Sequence, residues 1–167
     1  MSLEPLLSAS PQIQLHVASA SLALISGPFA LCRKRRDRIH KTLGYTFILA
    51  MLTAIFSSFF ILSIRIIGPF SPIHLLSVLA TITLWQGYRH IRSGRIAQHA
   101  ATMRGLYLQA LGIAFLFTFL PGRLMNQLLF PSAPELGAWL MIGLGLPLLV
   151  ALISAGWIRK RFSSSLH

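Results

Sequence analysis

The chain has 167 residues, 54% of them apolar and 11% charged, where an ordinary soluble domain carries about 25% charged residues. That balance excludes a soluble globule and points to an all-α polytopic membrane protein whose core is lipid-embedded helix. Fifteen Lys and Arg against three Asp and Glu give a formal net charge of +12. These charges sit at the borders of the apolar stretches, which assigns them to a lipid bilayer surface and excludes nucleic acid as the partner.

Apolar runs of about 20 residues, enough to cross a bilayer as helix, occupy 13–31, 43–67, 72–90, 103–121 and 136–158, so 1–167 reads as a single integral membrane domain. The expected architecture is a four-helix up-down transmembrane bundle plus a fifth, peripheral transmembrane helix. Met1–Ser10 has no basic segment, so span one reads as a retained helix and not a cleaved signal peptide. Arg33, Lys34, Arg35, Arg36, Arg38 and Lys41 follow it, and Cys32 beside them, the one cysteine, reads as structural. Gly68-Pro69-Phe70-Ser71-Pro72 is a tight turn that makes spans two and three neighbours. Arg89, Arg92, Arg95 and Arg104 border the loop after span three, and Arg159, Lys160 and Arg161 follow span five. Thirteen of the fifteen basic residues thus share one side, which the positive-inside rule makes cytoplasmic, with the N-terminus outside and the C-terminus inside. Between spans four and five, Leu124, Met125, Leu128, Leu129 and Phe130 predict a short amphipathic turn on the membrane surface. Gly143, Gly145 and Pro147 mark span five as a helix that packs closely or bends, with a homodimer as one use of its face.

Ionisable side chains in membrane spans are costly and mark candidate sites. His16 and His74 stand at the outer ends of spans one and three, His40 and His99 at the inner starts of spans two and four. His16 to His40 is 24 residues and His74 to His99 is 25, so spans one-two and three-four read as a weakly repeated histidine-bearing hairpin, helped by Ser19 and Ser77 and by Gly44 and Gly105. In an up-down bundle, spans one and three are diagonal across the core, as are two and four. His16 then faces His74, and His40 faces His99. Two imidazoles from diagonal helices are the axial set of a six-coordinate b-type haem. The 16 residues from His74 to His90 rise about 24 Å, enough for two stacked haems.

The expected cofactor is therefore two haem b groups, with His16, His74, His40 and His99 as the metal ligands. Gly27, Gly87 and Gly44 would clear space for the porphyrin; Arg65 and Arg123 would pair with the propionates of the outer haem and Arg104 with those of the inner. His90 reads as interfacial beside Tyr88 and Arg89, and His167 lies in a polar tail. The alternatives stay open: a non-haem copper-handling or oxidase-assembly membrane protein, since imidazole also suits copper and zinc, a structural protein whose histidines only mark membrane borders, and glycines that only permit close helix packing. Glu4, Asp37 and Glu135, the three acidic residues, all lie outside the spans, which disfavours proton-coupled transport. Hydrolase and nucleotide-binding motifs are missing.

The segments LHVASASLALISGPFAL (15–31), RIHKTLGYTFILAM (38–51) and QHAATMRGLY (98–107) resemble a family of bacterial predicted membrane proteins known as domain of unknown function 2306. The histidine layout, RIHKTLG above all, is similar to the cytochrome b561 superfamily, whose members hold two b haems by paired histidines and pass electrons across a membrane. The resemblance covers about 100 residues, Leu15 to Phe119; the basic ascorbate-binding motif is not recognisable. It implies electron transfer in the bacterial cytoplasmic (inner) membrane with a quinol or other small redox partner, and His16, His74, His40 and His99 as ligands.

Overall fold

The computed structural model describes residues 3–33, 35–61, 72–145 and 147. Lys34, Arg65, the turn residues Gly68 to Ser71, the ends of spans two and five, Arg159 to Arg161 and His167 lie outside them. Among the described residues the chain is all-helical with no strand, and it divides into two compact units, Leu6–Ala114 and a second formed by Met1–Pro5 with Phe115–His167.

The short helix α1 (Glu4–Leu7) precedes α2 (Pro11–Cys32), whose first position is a proline, the one helical site where its missing N–H is no loss. Gln14 ties the two together, its Nε2 donating to the Leu6, Leu7 and Ala9 carbonyls at the otherwise open end of α1. Helix α3 (Arg38–Ser58) starts at Asp37, whose Oδ1 accepts from the His40 amide at 3.0 Å. The same carboxylate pairs with Arg33 at the end of α2. The α2–α3 connection is thus closed by one side chain that caps a helix and binds a cation.

Helix α4 (Pro72–Arg92) turns into α5 (Ile96–Gly105) through Gly94, at φ +70°. Its amide reaches the Ile91 carbonyl and the Arg95 amide the His90 carbonyl, the paired bonds of a Schellman ending that favours glycine at this point. Helix α5 runs on through a π-helical stretch, Leu106–Gly112, into α6 (Ile113–Phe117). The helix therefore begins at Ile96, seven residues before the apolar run at 103, because the first two turns carry the polar Gln98, His99 and Thr102.

In this unit α2 packs along α3, α3 on α4, α4 along α5, and α5 with its π stretch returns to α2. The interior is built from Ala23, Phe47, Ala50, Met51, Ala80, Leu84, Met103, Leu106 and Leu111, with small polar Ser19, Ser26, Ser57, Ser58 and Ser77 buried beside them. Large apolar side chains such as Ile25, Phe29, Leu49, Phe56 and Trp85 point outward. Alanines and serines buried among larger core residues, with further large apolar side chains facing outward, suit helices surrounded by lipid, where close backbone approach adds to the packing.

Among the described residues three helices, Pro11–Cys32, Arg38–Ser58 and Ile96–Phe117, are long and apolar enough to cross a membrane. Helix α4 has the length, 21 residues, but Gln86, Arg89 and His90 lower its hydropathy. In the second unit α7 (Leu124–Leu129) and α8 (Glu135–Leu140), the latter continuing as a π-helical stretch Met141–Gly145, are joined around Asn126. Its side chain is 1% exposed, and Nδ2 donates to the Phe119 and Pro134 carbonyls at 2.7 and 2.8 Å.

Candidate functional site

The antiparallel hairpins place His16 and His74 at one end of the first unit and His40 and His99 at the other, the end flanked by the basic residues. His16 lies on α2 against the end of α3: its Nδ1 is 2.9 Å from the Ala54 carbonyl and 3.2 Å from Ser57 Oγ. A carbonyl only accepts, so Nδ1 carries the proton and Nε2 keeps its lone pair. His74, buried on α4, sets its ring 5.6 Å from that of Phe59, two residues beyond the α3 turn that serves His16. Between these levels Ser58 and Ser77 join α3 to α4 at 2.7 Å. Both expected ligands of this end are therefore held against the same few residues of α3, from opposite neighbouring helices.

At the basic end His99 Nδ1 donates to the Gly87 carbonyl at 2.9 Å, the same tautomer as His16 and again one that leaves Nε2 as a ligand atom. His40 lies in the first turn of α3. Its Nδ1 is buried and has no hydrogen-bond partner among the described residues. His90, read from the sequence as interfacial, has its Nδ1 3.1 Å from Thr102 Oγ1, a second α4–α5 bridge one turn from that of His99. Beside them the Arg33 guanidinium and then the His40 amide hold the Asp37 carboxyl well below the usual carboxylate range, and the same bond raises Arg33.

The expected clearance for a porphyrin divides. A Cβ at Gly44 would meet nothing within 4 Å, so the space one turn above His40 is open. Gly27 and Gly87 do not leave room: the Tyr107 ring and Phe47 lie against the first, and the Met103 methyl and Thr102 against the second. The helices use these glycines for close packing of side chains from α5. The cation set does not assemble as expected either. Arg104 is exposed and, five residues after His99, stands about 140° round the helix from it. Arg123 precedes α7 in the second unit, and Arg65 lies outside the described residues. Among the described residues no three His, Cys, Asp or Glu side chains converge.

Several interior residues carry more than their sequence signals foretold. Tyr107 donates its hydroxyl to the Leu24 carbonyl at 3.1 Å; the proline at position 28, inside an uninterrupted apolar span, was the available clue. Asn126, the one strongly buried amide, stands alone among apolar neighbours in LMNQLL. Thr102 is three residues from His99 and shares its side of α5.

The profile of domain of unknown function 2306 (DUF2306), described as a predicted membrane protein, matches residues 13–153. No curated protein and no solved structure matches.

Proposed function

The chain belongs to the DUF2306 family of predicted membrane proteins, whose description names no activity, and from its histidines we propose a small di-haem b-type cytochrome that passes electrons across a membrane. The observation that carries this reading is the shared tautomer of His16 and His99: at opposite ends of the unit, each gives its Nδ1 proton to a carbonyl of the neighbouring helix and keeps Nε2 free. That is the arrangement in which protein imidazoles serve as axial ligands. His74, buried at the first end, and His40, with its unpartnered Nδ1, complete two pairs. Each pair comes from diagonal helices of an up-down four-helix transmembrane bundle, with the fifth span peripheral. Two b haems, when bound, would supply one-electron redox chemistry. The chain would orient their ligands, exclude water with its apolar interior, and meet a quinol or other small redox partner at the membrane. The resemblance favours a bacterial cytoplasmic membrane, and the charge placement favours an N-terminus outside.

The test is a dithionite-reduced minus oxidised spectrum of detergent-purified protein, with pyridine haemochrome quantification. About two low-spin haems per chain are expected. His16→Ala and His74→Ala should each remove one half, and His40→Ala and His99→Ala the other. A colourless protein from haem-replete cells overturns the proposal, and loss with His90→Ala in place of His99→Ala overturns the pairing.

The competing reading is structural. It is favoured by the filled notches at Gly27 and Gly87 and by the way His16 and His99 already tie helices together. A copper- or zinc-handling role draws on three or four converging donors, which the described residues do not bring together.

A further inference from the structure

A proline inside a helix has no N–H to give to the carbonyl four residues earlier. In α2 the proline is Pro28 and the carbonyl that loses its partner is that of Leu24. An unsatisfied backbone group in a lipid-surrounded helix is costly, and neighbouring helices commonly supply the missing donor. Here the donor is the Tyr107 hydroxyl, 3.1 Å away. The preceding residue, Gly27, has no side chain where the Tyr107 ring lies, and Phe47 of α3 tilts against that ring with centroids 6.4 Å apart. Tyr107 is the second residue of the π-helical stretch, a form that is uncommon and concentrated where a helix is re-aimed for a purpose. The α2–α5 face is also the sparsest of the four helix seams.

We infer that Tyr107 is a latch on a lateral opening between α2 and α5, with the Leu24 carbonyl freed by Pro28 as its catch. Closed, the hydroxyl satisfies the carbonyl and the ring fills the Gly27 notch. Open, the seam parts toward lipid and a mid-membrane hydrogen-bond acceptor becomes accessible. The latch exists because of the proline: with an N–H at position 28, the carbonyl would be satisfied in either state. The inference stands on the packing of α2, α3 and α5 and is independent of haem.

The test uses the full chain in nanodiscs with Cys32→Ser, spin labels at the outward-facing Ile25 and Leu108 after Ile25→Cys and Leu108→Cys, and pulsed-EPR distances. Tyr107→Phe should raise the population of the longer, open distance about fivefold, the factor that one ordinary intramolecular hydrogen bond corresponds to. Pro28→Ala should also raise it, and the double variant no further than either single one. A parallel thermal scan should show Tyr107→Phe lowering the melting temperature by about 4 °C in the parent and by under about 1 °C in the Pro28→Ala background. An unchanged distance distribution in Tyr107→Phe, or effects of the two substitutions that simply add, overturns the latch. If Tyr107→Phe does not fold, its recovery by Pro28→Ala supports the coupling, and failure of both variants to fold overturns it.

Discussion

Asn126 offers the sharpest test of the second unit. Its amide donates to two carbonyls, Phe119 at 2.7 Å and Pro134 at 2.8 Å, from a side chain that is 1% exposed. Asn126→Ala removes both bonds, leaving the Pro134 carbonyl with the Gly137 amide and the Phe119 carbonyl without this donor; at about 1 kcal/mol for each bond, the loss is about 2 kcal/mol. For a chain of this size that is a fall of about 8 °C in melting temperature. Asn126→Asp keeps the shape but replaces the donor by an acceptor facing two others. The aspartic acid can occupy the site only when protonated, so its carboxyl is raised in the folded state. A raised carboxyl makes the folded form progressively less stable as the pH climbs above the ordinary range of about 4. The assay is tryptophan-fluorescence melting in detergent, run at pH 5 and pH 8 for the parent, Asn126→Ala and Asn126→Asp. Relative to the parent, Asn126→Asp should lose more at pH 8 than at pH 5. Equal losses at both pH values, or an Asn126→Ala variant as stable as the parent, refute the clamp.

Gly137→Ala should destabilise the same clamp, because its new methyl would collide with Asn126 Nδ2 and the Phe119 carbonyl; the same melts check it, and Gly143→Ala, with nothing near it, is the control. At the α2–α3 connection the depressed Asp37 carboxyl contributes stability above about pH 4 that is lost as the pH falls through its folded value. The protection of the His40 amide relative to its intrinsic exchange rate should accordingly fall in acid, and at neutral pH in Asp37→Ala more than in Asp37→Asn, which retains the cap. Ser58→Ala and Ser77→Ala should show a coupling of about 0.6 kcal/mol in a double-mutant cycle, the usual size for a hydrogen bond between helices in a membrane. Gln14→Ala should free α1, read as faster amide exchange around Leu6 to Ala9.

Much of the fold was legible because lipid imposes a simple grammar: long apolar runs give helices, prolines and glycines give turns. Span one appears within two residues of α2, and the run read as span three matches α4 in extent, although that helix is not apolar enough to count among the candidate spans. The start of α5 was misplaced because helix propensity after the Gly94 turn extends the helix through polar residues that hydropathy discards. The π stretch at Leu106 leaves no trace in sequence, since a change of backbone hydrogen-bond partner alters no side-chain pattern. The histidines were found by spacing, and their two ends of the unit follow from it. Their hydrogen-bond partners were not, because carbonyls such as Ala54 and Gly87 are common to every residue type and are selected only by packing. Gly27 and Gly87 were read as room for a ligand, yet a missing side chain in the sequence does not reveal what fills the space; Tyr107 and Met103 do.

The tight ending of α4 at Gly94 bears on biosynthesis. Alone, α4 is a poor candidate for partition into the bilayer, with Gln86, Arg89 and His90 in its last turns. The Schellman turn brings α5 back alongside it within three residues, Ser93 to Arg95, and two helices presented together pair His90 with Thr102 and His99 with the Gly87 carbonyl before either meets lipid. On the proposed topology α4 and α5 enter the membrane as a pair, so a nascent chain stalled near Arg92 would leave α4 unthreaded, whereas one released beyond Phe117 would carry both across.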